Sequence, residues 1–207
     1  MELNPHDLVR IQGMEDLYSG YPFPDWVEEA LLKAPYAVVR RAEHTDGIPV
    51  GIRGIERGQR CAAWARTEKI MEVIRPYSLV DPAQWKVSYP VTVPATIQTL
   101  KMITPFMQAA AYEWGPTGSS GFELATGIPS IKDTSDLDLV INFPERITIA
   151  QAGSLLDQLE GLSLVRMDVQ MNTPAGGVAL KEYILGGQVL VKTSTAPVLQ
   201  DANSLWS

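Results

Sequence analysis

Two aspartates, Asp136 and Asp138, stand at the start of the aliphatic run in "SDLDLVINF". Because side chains alternate across a strand, a strand here would place both carboxylates on one face and Leu137, Leu139 and Ile141 on the other. Ionised carboxylates are costly to desolvate, and two on one face repel each other unless a cation lies nearby. The pattern indicates a metal, a basic neighbour or a solvent-exposed strand end, and the spacing alone leaves all three open.

A third aspartate lies on the polar side of a later segment. In "LVRMDVQM" the same alternation places Arg166, Asp168 and Gln170 on one face and apolar residues on the other. Three carboxylates from two neighbouring strands form a site for a hard cation such as Mg²⁺ or Mn²⁺. Two such ions can activate a hydroxyl and neutralise a leaving phosphate in an in-line displacement. We therefore predict that Asp136, Asp138 and Asp168 form a metal-dependent catalytic site.

The glycine- and serine-rich stretch "GPTGSSG" precedes the first two aspartates. Its Gly118 and Ser119 can offer backbone N–H groups and a hydroxyl to phosphate oxygens. The sequence contains no Walker A motif, no dinucleotide fingerprint and no G-x-S-x-G elbow. His6 and His44 lie near no pair of cysteines, so a zinc site has no support.

Composition limits the classes of protein that remain. The 207 residues carry 17 basic and 24 acidic side chains, and the net charge of −7 disfavours binding to nucleic acid or to membranes. No apolar run approaches the roughly 18 residues that cross a bilayer, and the N-terminus lacks a secretory pattern, which predicts a cytoplasmic protein. The single cysteine, Cys61, is expected to be a buried structural thiol.

Positive charge is concentrated in one part of this acidic chain. Seven of the 17 basic residues fall within residues 40 to 69, against four acidic ones. Such a cluster indicates a site for a compact anion such as a polyphosphate. The alternative is a solvent-exposed arginine surface that binds no ligand. The seven residues are Arg40, Arg41, Arg53, Arg57, Arg60, Arg66 and Lys69.

The first half of the chain predicts a small antiparallel meander covered by helices at about 24–33 and 66–74. Its strands are "YAVVRRA", "IPVGIRG" and "QRCAAWA", and the pair Asp46-Gly47 indicates a hairpin turn between the first two. The proline-rich stretch "RPYSLVDPAQWKVSYPVTVPA" indicates a linker or a domain boundary. We therefore predict an N-terminal α+β subdomain over residues 1–90 and a catalytic domain over residues 91–207.

The second half predicts a short mixed sheet flanked by helices, an α/β (α+β) fold. A helix from Ala95, kinked at Pro105, is followed by the glycine loop and the aspartate strand. Thr148 and Gln151 form a capping-box pair that opens a second helix, and Gly161 is expected to stop it. The remaining segments are "LSLVRMDVQM", "VALKEYIL" and the strand "QVLVKT".

A Gly-Ser pair, an Asp-x-Asp strand and a later strand aspartate together resemble the nucleotidyltransferase superfamily related to DNA polymerase beta. Sixteen residues separate Ser119 from Asp136, a longer interval than is usual there. Longer phrases, from about residue 35 to the end, resemble the phosphoribosyl-dephospho-CoA transferases that act as holo-acyl-carrier-protein synthases of malonate decarboxylase. These phrases are "VVRRAEHTDGIPVGIRGIERGQRCAAW", "WGPTGSSGFELATGIPSIKDTSDLDLVI", "RMDVQMNTPAGGVALKEYILGG" and "VLVKT".

The resemblance implies a bacterial enzyme. It implies transfer of the prosthetic group from 2'-(5-triphosphoribosyl)-3'-dephospho-CoA to a serine of the acyl carrier subunit of malonate decarboxylase, with release of pyrophosphate. By resemblance, Asp136 and Asp138 bind both metals, while Asp168 holds the ion that activates the serine and can accept its proton. Gly118 and Ser119 grip the leaving phosphates. Further candidates for contacts with the donor are Arg40, Arg41, Arg53, Arg60 and Lys192.

Two other functions stay open at this point. The chain could be a different nucleotidyltransferase, acting on the carrier of citrate lyase or attaching a nucleoside monophosphate to a protein or a small alcohol. It could also be a non-catalytic carrier-binding module whose aspartates are structural. The N-terminal meander is expected to bind either the prosthetic-group precursor or the carrier protein.

Overall fold

The computed structural model describes residues 3–42, 47–54, 56 and 58–207. The predicted Asp46-Gly47 turn therefore falls partly, and Arg57 and His44 fall wholly, outside the described residues. The chain divides into two compact units, Met1–Arg75 and Pro76–Ser207. In the part of the chain that the structure describes, no helix is both long and apolar enough to span a membrane.

In its described residues, the first unit is an antiparallel sheet with one α-helix, α1 (Trp26–Lys33). Its six strands follow the order β2-β5-β4-β3-β1-β6, and every described pairing in it is antiparallel. The strands are β1 (Leu8–Arg10), β2 (Leu17–Tyr18), β3 (Tyr36–Val39), β4 (Ile48–Arg53), β5 (Arg60–Ala65) and β6 (Glu72–Ile74).

The core of this unit lies on one face of the sheet, under α1. Val27 and Leu31 of the helix are buried with Val50 and Ala63 of the sheet. The helix has Glu28 and Glu29 in its first turn and Lys33 in its last, so its charges complement the helix dipole. The predicted first helix and the three-stranded meander β3-β4-β5 are confirmed.

The helix predicted at residues 66–74 is wrong. A 3-10 turn at Thr67–Lys69 leads into β6, and β6 pairs with β1 through Val9 and Val73. The β-branched residues Val73 and Ile74 suit an extended chain, and the free edge of β1 offers them hydrogen-bond partners. Because β1 lies more than 60 residues away in sequence, the local pattern could not reveal this pairing.

The second unit is a mixed sheet flanked by helices, as predicted. Its strand order is β12-β11-β10-β9-β8-β7, in which β8 and β9 are parallel and the other described pairs are antiparallel. Its helices are α2 (Ala95–Ala109), α3 (Gly118–Thr126), α4 (Ile149–Leu162) and α5 (Leu180–Leu185). Its strands are β7 (Glu113–Pro116), β8 (Leu137–Asn142), β9 (Met167–Thr173), β10 (Gly176–Ala179), β11 (Gln188–Lys192) and β12 (Pro197–Asp201).

The parallel pair β8 and β9 is connected by α4, because parallel neighbours need a crossover. The predicted capping box is present: the Thr148 hydroxyl accepts from the Gln151 backbone N–H, and the Gln151 side chain accepts from the Thr148 backbone. Ala152 and Leu159 on the inner side of the helix are fully buried. Gly161, predicted to stop the helix, lies within its last turn.

The predicted glycine loop is instead the strand β7 followed directly by α3. At Gly115 a side chain would overlap the backbone of Pro76, so the glycine permits a close chain crossing. The 3-10 turn Pro76–Val80 therefore packs on β7, and Lys86 N–H donates to the Leu124 carbonyl at 2.8 Å. Much of the proline-rich stretch predicted as a linker thus packs into the second unit, which begins at Pro76, whereas the sequence places the boundary at 90/91.

Candidate active site

Asp138 and Asp168 lie side by side in the second sheet. They are direct register partners on the parallel strands β8 and β9, and neighbouring strands run about 4.8 Å apart. Their opposite face is apolar, since Leu139 is 1% and Val169 is 2% exposed. Asp138 is half-buried and Asp168 is exposed. The pairing thus places two carboxylates next to each other on the solvent side of a buried sheet.

Asp136 lies just before β8 and has a basic neighbour. Its Oδ2 atom is 3.9 Å from Nε of Arg166, with the two side chains 45% and 77% exposed. An ion pair this exposed and this long contributes little to stability. It nevertheless partly balances the charge of Asp136, which is one of the explanations that the sequence left open.

Gly118 brings the start of α3 against Asp138. Its φ of +59° lies in the left-handed region, and a Cβ atom there would overlap the Asp138 carboxylate, 2.7 Å from Cγ. The Thr117 N–H also donates to the Asp138 carbonyl at 2.8 Å. The first N–H groups of a helix have no intrahelical acceptor and carry partial positive charge. Gly118 and the half-buried Ser119 therefore present donors beside a carboxylate, an arrangement that suits phosphate oxygens.

Lys192 lies on the same face of the second sheet as the aspartates. It pairs with Gly177 of β10, which pairs in turn with Asn172 of β9. Its Nζ donates to Oε1 of Gln170 at 3.4 Å, and Gln170 follows Asp168 by two residues along the same strand face. Among the basic candidates, Lys192 is the member that shares a unit with the aspartates.

The four arginine candidates, Arg40, Arg41, Arg53 and Arg60, lie in the first unit. Arg40 has a packing role: its Nε donates to the Val50 carbonyl at 3.2 Å, and its guanidinium carbon lies 5.2 Å from the centre of the Trp64 ring. Arg41 is half-buried.

Arg53 and Arg60 are both exposed and are direct partners across β4 and β5. Like charges directly opposite each other repel, so a bound anion would stabilise this pair. Contact between these arginines and the donor stays a prediction.

A divalent ion fits the aspartate pair only in company with other ligands. Among residues 3–42, 47–54, 56 and 58–207, no group of three or more His, Cys, Asp or Glu side chains is arranged to hold a metal. Mg²⁺ sites commonly use one or two carboxylates, with water and substrate phosphates completing the shell. Asp138 and Asp168 supply hard oxygen donors at adjacent positions beside the α3 donors. The residues therefore suit an ion that is shared with a bound phosphate.

Sequence analysis missed Glu123, a carboxylate that is only 6% exposed. Its oxygens accept hydrogen bonds from the Tyr89 hydroxyl at 2.8 Å and from the N–H groups of Ser130 and Ile131 at 2.6 and 2.8 Å. Burial, reinforced by the hydrogen bond to Glu123, raises the pKa of Tyr89. Glu123 thus anchors the chain between α3 and β8, the segment that leads to Asp136. A single glutamate within a helical segment gives no signal of such a role in the sequence.

We expect Glu123→Ala to lower the free energy of unfolding by about 3 kcal/mol, because each buried donor left unpaired costs roughly 1–3 kcal/mol. Urea unfolding of the purified variant measures this. The control is Glu160→Ala, whose exposed carboxylate pairs with Lys181 at 2.7 Å and should contribute less than about 1 kcal/mol. Equal losses for the two variants would refute the anchoring role.

Comparison with known proteins matches both units to one family. The family model described as the phosphoribosyl-dephospho-CoA transferase MdcG C-terminal domain matches residues 85–203, and the corresponding N-terminal domain model matches residues 4–76. No solved structure matches the chain significantly.

Curated relatives of the same name match this chain over nearly their whole length. A phosphoribosyl-dephospho-CoA transferase of Pseudomonas putida (strain GB-1) is 39% identical over 199 residues, which cover 94% of this chain and 92% of the relative. The enzyme of that name in Azotobacter vinelandii is 36% identical over 197 residues, 92% and 89% of the two chains. The one in Klebsiella pneumoniae (strain 342) is 35% identical over 191 residues, 92% and 90%.

Proposed function

The chain belongs to the phosphoribosyl-dephospho-CoA transferase family, and from this premise we propose the reaction that it catalyses. The donor is 2'-(5-triphosphoribosyl)-3'-dephospho-CoA. The acceptor is a serine hydroxyl of the acyl carrier subunit of malonate decarboxylase. The products are the phosphodiester-linked carrier and pyrophosphate.

The pairing of Asp138 with Asp168, beside the glycine that opens α3, is the observation that supports this proposal. Transfer of a phosphoryl-type group needs positioning and charge neutralisation more than covalent catalysis. Adjacent carboxylates and helix N–H donors supply the two kinds of group that this requires: ligands for a cation and donors to phosphate oxygens.

In the proposed reaction the serine oxygen forms a bond to the α-phosphorus while the bond from that phosphorus to the pyrophosphate oxygen breaks. Asp168, which is exposed, accepts the proton of the attacking hydroxyl. The N–H groups of Gly118 and Ser119 hold the leaving pyrophosphate. A divalent ion such as Mg²⁺ or Mn²⁺, held by Asp138 and Asp168 with Asp136 nearby, would neutralise charge on the phosphates.

An exposed general base suits a macromolecular acceptor. The serine of a folded carrier protein is presented on a surface, so the base that receives its proton must be accessible. Asp168 meets this requirement and Asp138, which is half-buried, meets it less well. This difference supports the division of roles between the two carboxylates.

The test combines the purified protein, the donor, MgCl₂ and the apo-carrier of malonate decarboxylase. We expect release of pyrophosphate together with a mass increase of the carrier that equals the phosphoribosyl-dephospho-CoA group. Excess EDTA should stop the reaction, and Mn²⁺ or Mg²⁺ should restore it.

Parallel assays distinguish the alternatives. Preference for the apo-carrier of citrate lyase, or release of pyrophosphate from ATP or UTP with those nucleotides attached to an acceptor, would assign a different nucleotidyltransferase activity. Binding of the carrier with no pyrophosphate release in any assay would indicate a non-catalytic module. Undiminished transfer in EDTA would refute the requirement for a divalent ion.

A further inference from the structure

The sheet face that carries Asp138 and Asp168 continues as a connected row of polar side chains. We call Lys192, Gln170, Asn172 and Tyr77 the polar row. Lys192 Nζ donates to Gln170 Oε1 at 3.4 Å, Gln170 Nε2 donates to Asn172 Oδ1 at 3.2 Å, and Asn172 Nδ2 donates to the Tyr77 hydroxyl at 3.4 Å. The row therefore runs from a cation on β11 to a hydroxyl on the 3-10 turn Pro76–Val80.

Small residues on β10 allow Lys192 to reach the row. Ala179 pairs with Gln170, while Gly177 pairs with both Asn172 and Lys192. Since cross-strand partners share a face, neither position places a large side chain between β9 and β11. The lysine arm can therefore cross β10 and bring its ammonium to Gln170, two residues along the strand from Asp168.

The charge of Lys192 is not neutralised within the row. Gln170 is an uncharged acceptor, and among the described residues no carboxylate lies within salt-bridge distance of Lys192. An ammonium has three donors, of which Gln170 takes one. The other two can bind an anion, and the exposed position of Lys192 leaves them accessible.

We propose that Lys192 binds a phosphate of the donor and that Gln170 is the positioning residue that directs its ammonium toward the aspartates. This inference rests on the proposed function and deepens it. The phosphate belongs either to the triphosphate chain or to the diphosphate of the dephospho-CoA part, and the two sources present the same chemistry to Lys192. Gln170 acts through Lys192, while Asn172 holds the Gln170 amide with its oxygen toward the lysine.

Calorimetry with tripolyphosphate and, separately, with dephospho-CoA tests the binding role without any transfer reaction. We expect Lys192→Met to weaken one of these two ligands about tenfold, as for loss of one charge-assisted hydrogen bond. The ligand that is weakened identifies the source of the phosphate. The matched control is Lys181→Met, which removes one positive charge from an exposed lysine that pairs with Glu160. If Lys192→Met binds both ligands as the wild type does, or no worse than Lys181→Met, the proposal is overturned.

A double-mutant cycle tests the positioning role of Gln170. In the transfer assay we expect Gln170→Ala to raise the KM for the donor about fivefold and to leave kcat within about twofold. In a Lys192→Met background the same substitution should have no further effect on KM. An equal effect in both backgrounds, or a fall in kcat alone, would overturn the positioning role. Unchanged melting temperatures, expected because Lys192 is exposed and Gln170 lies on the solvent side, exclude a folding defect.

The two hypotheses fail differently. If the wild-type protein performs no transfer to any carrier, the proposed function fails. Calorimetry with the two phosphate ligands still decides whether Lys192 binds an anion. If transfer occurs and Lys192→Met leaves both the KM and the calorimetric affinities unchanged, the proposed role of the polar row in phosphate binding is wrong. The proposed function then stands.

Discussion

Asp138→Asn is expected to reduce transfer by about a thousandfold or more, the scale of losing a group that stabilises charge in the transition state. The substitution keeps the size and polarity of the side chain and removes its charge. Asp138 is the second residue of β8 and is half-buried. It is not part of the apolar core, so the fold should survive its substitution. Pyrophosphate release under saturating donor measures the loss, and circular dichroism with thermal melting verifies the fold.

The comparison variants for this prediction are chosen from the same region of the chain. Asp168→Asn is expected to reduce transfer as much as Asp138→Asn does. Asp136→Asn should also abolish transfer if its carboxylate is a ligand of the metal ion. Asp133→Asn is the control: it removes the charge of an exposed aspartate three residues before Asp136 and should retain full activity. Wild-type rates for Asp138→Asn would show that this carboxylate takes no part in the chemistry.

Gly118→Ala is the second change with a large expected effect, because two physical costs act at one position. A left-handed φ of +59° costs a non-glycine residue about 1–2 kcal/mol. The new methyl group would also overlap the Asp138 carboxylate, so that carboxylate or the start of α3 must move. Since misplacement by about 1 Å can cost about a hundredfold in rate, we expect transfer to fall at least that much.

Two readouts separate the costs of Gly118→Ala: the free energy of unfolding and kcat. The matched control is Gly161→Ala in α4, where the added Cβ has no atom within 4 Å beyond its chain neighbours and the backbone of its own helix. That control should raise stability by about 0.5–1 kcal/mol and leave transfer unchanged, because alanine suits a helix better than glycine. If Gly118→Ala retained both stability and rate, the close approach of α3 to Asp138 would have no functional meaning.

Much of the second sheet follows from local sequence pattern. The alternation in "LDLVIN" and "MDVQM" places the buried and solvent-side residues as the structure has them except at Val140, which is 1% exposed although it lies on the strand face of Asp138. The capping box at Thr148 likewise involves residues three apart and is complete in the structure. Both signals depend on the geometry of neighbouring residues along the chain, which is why they could be recognised from the sequence.

Other features were beyond local pattern because their partners are distant in sequence. The segment 66–74 has the local pattern of a helix, but in the structure Val73 pairs with the edge of β1. The proline-rich stretch has the composition of a linker, but Gly115 allows the chain at Pro76 to cross β7. Glu123 has the sequence context of an ordinary helical glutamate, but its carboxylate accepts hydrogen bonds from Ser130 and Ile131.

The sequence by itself determined which face of β8 and of β9 carries the aspartates, how α4 begins, and, through its long distinctive phrases, the resemblance to the phosphoribosyl-dephospho-CoA transferases. Only the tertiary structure decided that Asp138 and Asp168 are register partners, that Gly118 lies against the first of them, and that Lys192 reaches Gln170 across β10. Strand alternation depends on backbone geometry within a few residues. Register and close approach depend on hydrogen bonds and packing between segments 20 to 30 residues apart, which a single sequence does not encode in any local pattern.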